Sequence, residues 1–140
     1  MLPATEPIFE PRTMSLTAVF DSSAVILYFN DALSAPALAV MEQAIEQGTG
    51  AISVVTRAEV LAWPQHTAKS LQEAIVGMAS FEQLHVDAAV ADEAARIRRE
   101  CNLKLPDALI AATAALRGLP VVTANARDFE RVAQLQVVRF

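Results

Sequence analysis

Leu105-Pro106-Asp107-Ala108-Leu109-Ile110-Ala111-Ala112-Thr113-Ala114-Ala115-Leu116-Arg117-Gly118-Leu119-Pro120-Val121-Val122-Thr123 reads as a helix running directly into a strand. Pro106 suits the opening turn of a helix, where a missing N–H costs nothing. Leu109, Ala112 or Thr113, and Leu116 recur at helical spacing and predict an inward stripe. Gly118 supplies a stop, because glycine enters the left-handed region without penalty. Pro120-Val121-Val122 then reads as a short apolar strand. A helix delivered so closely onto a strand points to alternating α and β elements.

The alternation extends in both directions. Upstream, Ala18-Val19-Phe20 is a short apolar strand, followed by Asp21 and a helical stretch to about Phe29. Leu38, Met41 and Ile45 form a helical stripe that Gly48 ends. Ala51-Ile52-Ser53 reads as the second strand, after which Thr56 opens a helix. Leu71, Ile75 and Met78 make the next stripe, and Leu84-His85-Val86 reads as the third strand. Val90, Ala94, Ile97 and Cys101 follow as another helix. Beyond the opening stretch, a short helix from about Arg127 leads to a last strand at Val137-Val138. The expected fold is α/β, a central parallel sheet with helices on both faces. There is no internal repeat and no low-complexity segment.

The 140 residues suit one domain, long enough to bury a core without disulfides. A hydrophobic fraction of 54% and a mean hydropathy of +0.34 exclude disorder and leave apolar surface for a partner. No run reaches the roughly 18 apolar residues of a membrane helix. Met1 to Phe20 lacks the basic start and apolar run of a secretory signal, and Cys101 stands alone, so a cytoplasmic location is expected. A net charge of −5 argues against a protein that merely coats nucleic acid, since phosphate contacts need Lys and Arg. It leaves room for a nuclease whose acids hold metal.

Residues 1–13 carry Pro3, Pro7 and Pro11 among polar residues and read as a flexible leader before a domain over 14–140. A natural start at Met14 would make that leader an upstream extension. Its lack of apolar periodicity predicts that deleting residues 1–13 leaves the melting temperature and any activity unchanged. A large fall in melting temperature on truncation would contradict this.

In open α/β sheets, ligands bind beyond the carboxyl ends of the strands. Asp21 follows the first strand; Thr56 and Glu59 follow the second; Thr123, Asn125 and Asp128 follow the fourth; Asp107 opens a helix after Leu105-Pro106. Acids gathered on one rim repel each other unless a cation sits among them, and hard oxygen ligands suit Mg²⁺ or Mn²⁺. Carboxylate-held Mg²⁺ is a common apparatus for phosphodiester hydrolysis. Each residue also has a plainer role. Thr56-x-x-Glu59 reads as a capping box, Asp21 as an N-cap, and Asp107 and Asp128 as first-turn acids facing a helix dipole. Capping and ligation are compatible at one helix N-terminus.

Val19-Phe20-Asp21-Ser22-Ser23-Ala24 resembles the opening of a PIN domain, whose first strand delivers a metal-binding Asp. Thr56-Arg57-Ala58-Glu59-Val60 resembles the second motif, and Leu105-Pro106-Asp107-Ala108-Leu109-Ile110-Ala111-Ala112-Thr113-Ala114 the third. Val122-Thr123-Ala124-Asn125-Ala126-Arg127-Asp128-Phe129 resembles the fourth, and the likeness covers about residues 16–140. It is most specific in the third and fourth motifs. It implies a PIN-like, Rossmann-related fold and a metal-dependent endoribonuclease like the VapC toxins of bacterial toxin–antitoxin pairs. Asp21, Glu59, Asp107 and Asn125 would form the catalytic, metal-holding set around Mg²⁺ or Mn²⁺, with Asp128 a further candidate ligand. Thr123 or Ser22 would orient a ligand or the attacking water. The implied partners are an RNA substrate, a cognate antitoxin and a second copy in a homodimer. Where PIN domains carry Asp or Asn, this chain has the neutral Asn125, which implies weaker metal affinity.

Two other functions fit less of the sequence. A receiver-like signalling domain needs paired acids after the first strand and a Lys after the last; here Ser22 and Ser23 follow Asp21, and the lysines are Lys69 and Lys104. A catalytically inert PIN-like interaction module fits the neutral Asn125. His66 and His85 lack partners at ligand spacing and read as structural. Trp63 reads as packing or interface. Arg96, Arg98 and Arg99 offer either a phosphate contact or a basic last helical turn.

Overall fold

The computed structural model describes residues 15–140, so the leader assigned to 1–13 lies outside the described residues. The elements run β1 (Ala18–Phe20), α1 (Ser22–Phe29), α2 (Ala35–Gln47), β2 (Gly50–Ser53), α3 (Val54–Leu61) and α4 (Ala68–Met78). They continue with β3 (Glu82–Leu84), α5 (Ala88–Cys101), α6 (Leu105–Leu116), β4 (Val121–Thr123), α7 (Ala126–Phe129) and β5 (Val137–Arg139). The strands form one sheet in the order β3-β2-β1-β4-β5, with every neighbouring pair parallel. This is the α/β fold expected from the alternation.

Side chains alternate across a strand, so adjacent residues feed opposite faces. Val19, Ala51 and Val121 pack with Val90, Ala94 and Ile97 of α5, Ala108, Ile110 and Ala111 of α6, and Phe129 of α7. Ala18, Phe20, Ile52 and Val122 pack on the other face with Ala24 and Val25 of α1, Met41 of α2, Val60 of α3 and Met78 of α4. Both faces are therefore covered, and β1, β2 and β4 are apolar almost throughout, as a doubly covered parallel sheet requires. Gly48 and Gly118, at φ of 69° and 67°, break the chain after α2 and α6 as the sequence suggests. Among the described residues no helix is long and apolar enough to cross a membrane.

Several boundaries differ from expectation. The third strand is Glu82–Leu84, in register with Ala51, Ile52 and Ser53, and His85 and Val86 lie exposed beyond it. An edge strand needs no apolar residue on every position, so the apolar run misplaced it. Helix α3 opens at Val54, two residues before Thr56, with Ser53 as its N-cap, its hydroxyl accepting from the Val55 N–H at 3.0 Å. Leu116 is 52% exposed, not inward. Leu105, Leu109 and Leu116 share one line of α6, and the core takes Ile110, Ala111 and Ala114 instead. Similarly, α4 buries Ala74 and Met78 and leaves Leu71 exposed.

Candidate active site

The connections from β1 and from β4 depart in opposite directions across the sheet, so the switch point lies between these two strands, where open α/β sheets form their ligand crevice. Asp21 stands there, 3% exposed, directly after β1. Its Oδ1 accepts from the Ala24 N–H at 3.0 Å, capping α1, and from Ser23 Oγ at 2.8 Å. Its Oδ2 accepts from Thr123 Oγ1, at the end of β4, at 2.6 Å. Ser23 Oγ also accepts from the Ala124 N–H at 3.1 Å. These bonds tie the carboxyl ends of β1 and β4 together around one acid. Burial pushes the Asp21 carboxyl above the ordinary carboxylate value; the bonds from Thr123, Ala24 and Ser23 oppose that shift, and the Glu59 charge adds to it.

Glu59 lies on the exposed side of α3, and its Oε1 accepts from Ser22 Oγ. Ser22 Oγ is also 3.1 Å from Thr56 Oγ1, which is fully buried. The capping-box role for Thr56 and Glu59 is therefore replaced. With Ser53 as N-cap, both residues sit inside α3, and Glu59 is turned toward the start of α1. Among the residues sequence reasoning passed over, Ser23 is the clearest; its signal was the second serine directly after a strand-ending Asp, which reaches the β4 end.

Asp107 is half-buried in the first turn of α6. Burial raises its pKa most; the charges of Glu59, Asp21 and Asp128 raise it further, and Lys104 opposes them. Charges from the β1 end, α3 and α7 thus all bear on Asp107 in α6. Asn125, the N-cap of α7, donates its N–H to Thr123 Oγ1 at 2.8 Å and its Nδ2–H to Asp128 Oδ2 at 2.8 Å. Asp128 is held in turn by Arg131 at 3.2 Å.

The oxygen donors suit a hard divalent cation in kind, and the repulsion around Asp107 is what such an ion would relieve. Among the described residues, no three of His, Cys, Asp and Glu converge closely enough to hold a metal as arranged. Glu59 is exposed, and among the described residues its side chain is held by Ser22. Surface clefts along α4 at Lys69, Glu73 and Val76 and along α2 at Glu42, Ile45 and Glu46 lie away from these acids.

The family profile of the PIN domain matches residues 18–135, which spans every element from β1 to α7. The chain belongs to the PIN domain family. This PIN domain is similar to a toxin–antitoxin complex from Klebsiella pneumoniae, at 31% identity over 87% of this chain and 96% of that one, with a TM-score of 0.69. It is also similar to a member of the VapBC family of toxin–antitoxin systems from Mycobacterium tuberculosis, at 28% identity over 89% and 99%, with a TM-score of 0.60. VapBC2 from Rickettsia felis, bound to a promoter DNA fragment, shares the fold at a TM-score of 0.75, covering 89% of this chain and 99% of that one at 19% identity. No curated protein sequence matches the chain.

Several other polar side chains of this PIN domain have structural partners. His66 bridges Ser70 Oγ at 2.8 Å and the Val60 carbonyl at 2.9 Å, with Trp63 edge-on at 5.1 Å. Arg96 is held between Glu93 at 2.6 Å and Glu100 at 2.7 Å, and Arg98 donates to the Leu103 carbonyl at 2.8 Å. Arg98 and Arg99 occupy the last turn of α5, where the helix dipole favours them.

Proposed function

We propose that this PIN domain is a Mg²⁺- or Mn²⁺-dependent endoribonuclease and the toxin of a VapBC-like toxin–antitoxin pair. The observation that carries the reading is the buried Asp21 at the carboxyl end of β1, tied to Thr123 of β4 and followed by Ser22, which holds Glu59 of α3, with Asp107 of α6 close enough for both charges to raise its pKa. Folding one acid into the field of others costs stability, and a cation among them would return it. Asp21, Glu59 and Asp107, with the Asn125 amide oxygen, would hold the ion. When bound, it supplies a Lewis acid that makes a water acidic and offsets charge building on the phosphate. Thr123 and Ser23 hold Asp21 at one orientation, and Ser22 keeps Glu59 near the start of α1. Lys104, whose charge lowers the Asp107 pKa, would supply a cation for a substrate phosphate.

The likeness to toxin–antitoxin complexes supports an antitoxin partner, and exposed apolar side chains such as Val40, Trp63, Val76 and Leu116 are available to such a partner or to a second copy in a homodimer. Expressed alone, the chain is expected to arrest growth and degrade RNA, and co-expression of the cognate antitoxin is expected to relieve both. Normal growth with intact RNA would contradict the toxin reading. The neutral Asn125 favours a second reading, an inert PIN-like interaction module. Metal-dependent RNA cleavage by the purified chain excludes that reading.

A further inference from the structure

An N-cap Asn normally turns its side-chain oxygen back to accept from a backbone N–H in the first turn. Asn125 holds the N-cap position of α7 and makes no such bond. Its Nδ2 instead donates to Asp128 Oδ2 at 2.8 Å. Only the NH₂ end of an amide can face a carboxylate oxygen, since the carbonyl end would set acceptor against acceptor. Asp128 therefore fixes which way the amide is turned, and Oδ1 becomes its free end. Asp128 is itself fixed, because Arg131 Nη2 donates to its Oδ1 at 3.2 Å. The same guanidinium donates through Nη1 to the Asn102 carbonyl at 3.1 Å, on the connection that leads to Asp107. The brace thus links the loop before α6 to the start of α7.

We infer that Asp128 is a positioning residue rather than a ligand, holding the Asn125 amide so that its carbonyl oxygen is the end offered to a cation. The inference rests on the metal-site reading above. An amide has only one end that can ligate, whereas a carboxylate at this position would have two and need no such orientation. A neutral fourth ligand is useful only if the correct end is presented, and the Arg131–Asp128–Asn125 chain supplies that selection. Partners that orient a ligand typically change metal affinity by about 10- to 100-fold when removed.

The test is Mn²⁺ binding to the purified chain by titration calorimetry, with melting temperatures confirming that each variant is folded. Asp128→Ala should weaken binding about tenfold. Asp128→Asn should restore part of it, because its one carbonyl oxygen can take the place of Oδ2 and accept from Asn125 Nδ2, at the expense of the Arg131 contact. In an Asn125→Ala background, Asp128→Ala should cost nothing further, since no amide remains to orient. Equal loss in Asp128→Asn and Asp128→Ala, or an undiminished loss in the Asn125→Ala background, would show that Asp128 acts through its own charge and overturn the inference. Absence of Mn²⁺ binding by the wild type would overturn the metal reading itself, and the inference with it.

Discussion

Asp107→Asn is expected to lower RNA cleavage on the order of a thousandfold while raising the melting temperature of the metal-free protein. The two effects have one origin. Asp107 is half-buried, and its charge is opposed by burial and by Glu59, Asp21 and Asp128. The amide keeps the shape and removes the charge, so in the metal-free fold it relieves repulsion. With a cation present, the same change removes a charged ligand; a loss of about 4 kcal/mol of transition-state stabilisation corresponds to about a thousandfold in rate. Cleavage rates and thermal melts on the same preparation check both. Wild-type cleavage by the variant would reduce Asp107 to a first-turn acid that serves only the α6 dipole.

Asp21 should separate the two roles that its position combines. Asp21→Asn and Asp21→Ala are both expected to abolish measurable cleavage, but only the alanine variant should lose substantial stability. The Asp21 carboxyl caps α1 through Ala24 and accepts from Ser23 and Thr123. Asparagine can still accept from the Ala24 N–H and can donate to the Thr123 hydroxyl. Alanine removes the cap and leaves the buried Thr123 hydroxyl without its acceptor, a cost of about 2–4 kcal/mol. Denaturant melts of the two variants give the difference. An alanine variant that unfolds like the wild type would mean that the β1–β4 tie contributes little, and one that still cleaves would limit Asp21 to capping.

The fold was legible in sequence wherever burial on both faces forced a pattern. The short apolar runs of β1, β2 and β4 and the stripe Val90, Ala94, Ile97 were read correctly, because a central strand and a helix on a sheet each have one available period. Reading failed where that constraint relaxes. Strand β3 lies at the sheet edge and tolerates Glu82 and Gln83, so the apolar Leu84 to Val86 run drew the boundary too late. Along α6, small residues fill the core side, and Leu105 and Leu116 stand exposed. Hydrophobicity alone could not distinguish those leucines from core residues. The candidate acids were legible by their order after strands. The bonds that hold them were not: Ser22 to Glu59 spans 37 positions in the chain and Thr123 to Asp21 spans 102, distances at which a single sequence carries no pairing signal. The capping box at Thr56 and Glu59 shows the opposite failure, a valid local motif displaced by a better N-cap at Ser53.

The central claim is that the acids at the β1–β4 switch point work by holding a divalent cation for RNA cleavage. It is tested most directly by following cleavage of a structured RNA by the purified chain, first after exhaustive treatment with EDTA and then with Mg²⁺ or Mn²⁺ restored. Chelation should abolish cleavage, and restoring the ion should return it to the wild type but not to Asp107→Asn. Cleavage that persists after complete chelation, at a rate unaffected by added Mg²⁺ or Mn²⁺, would contradict the account.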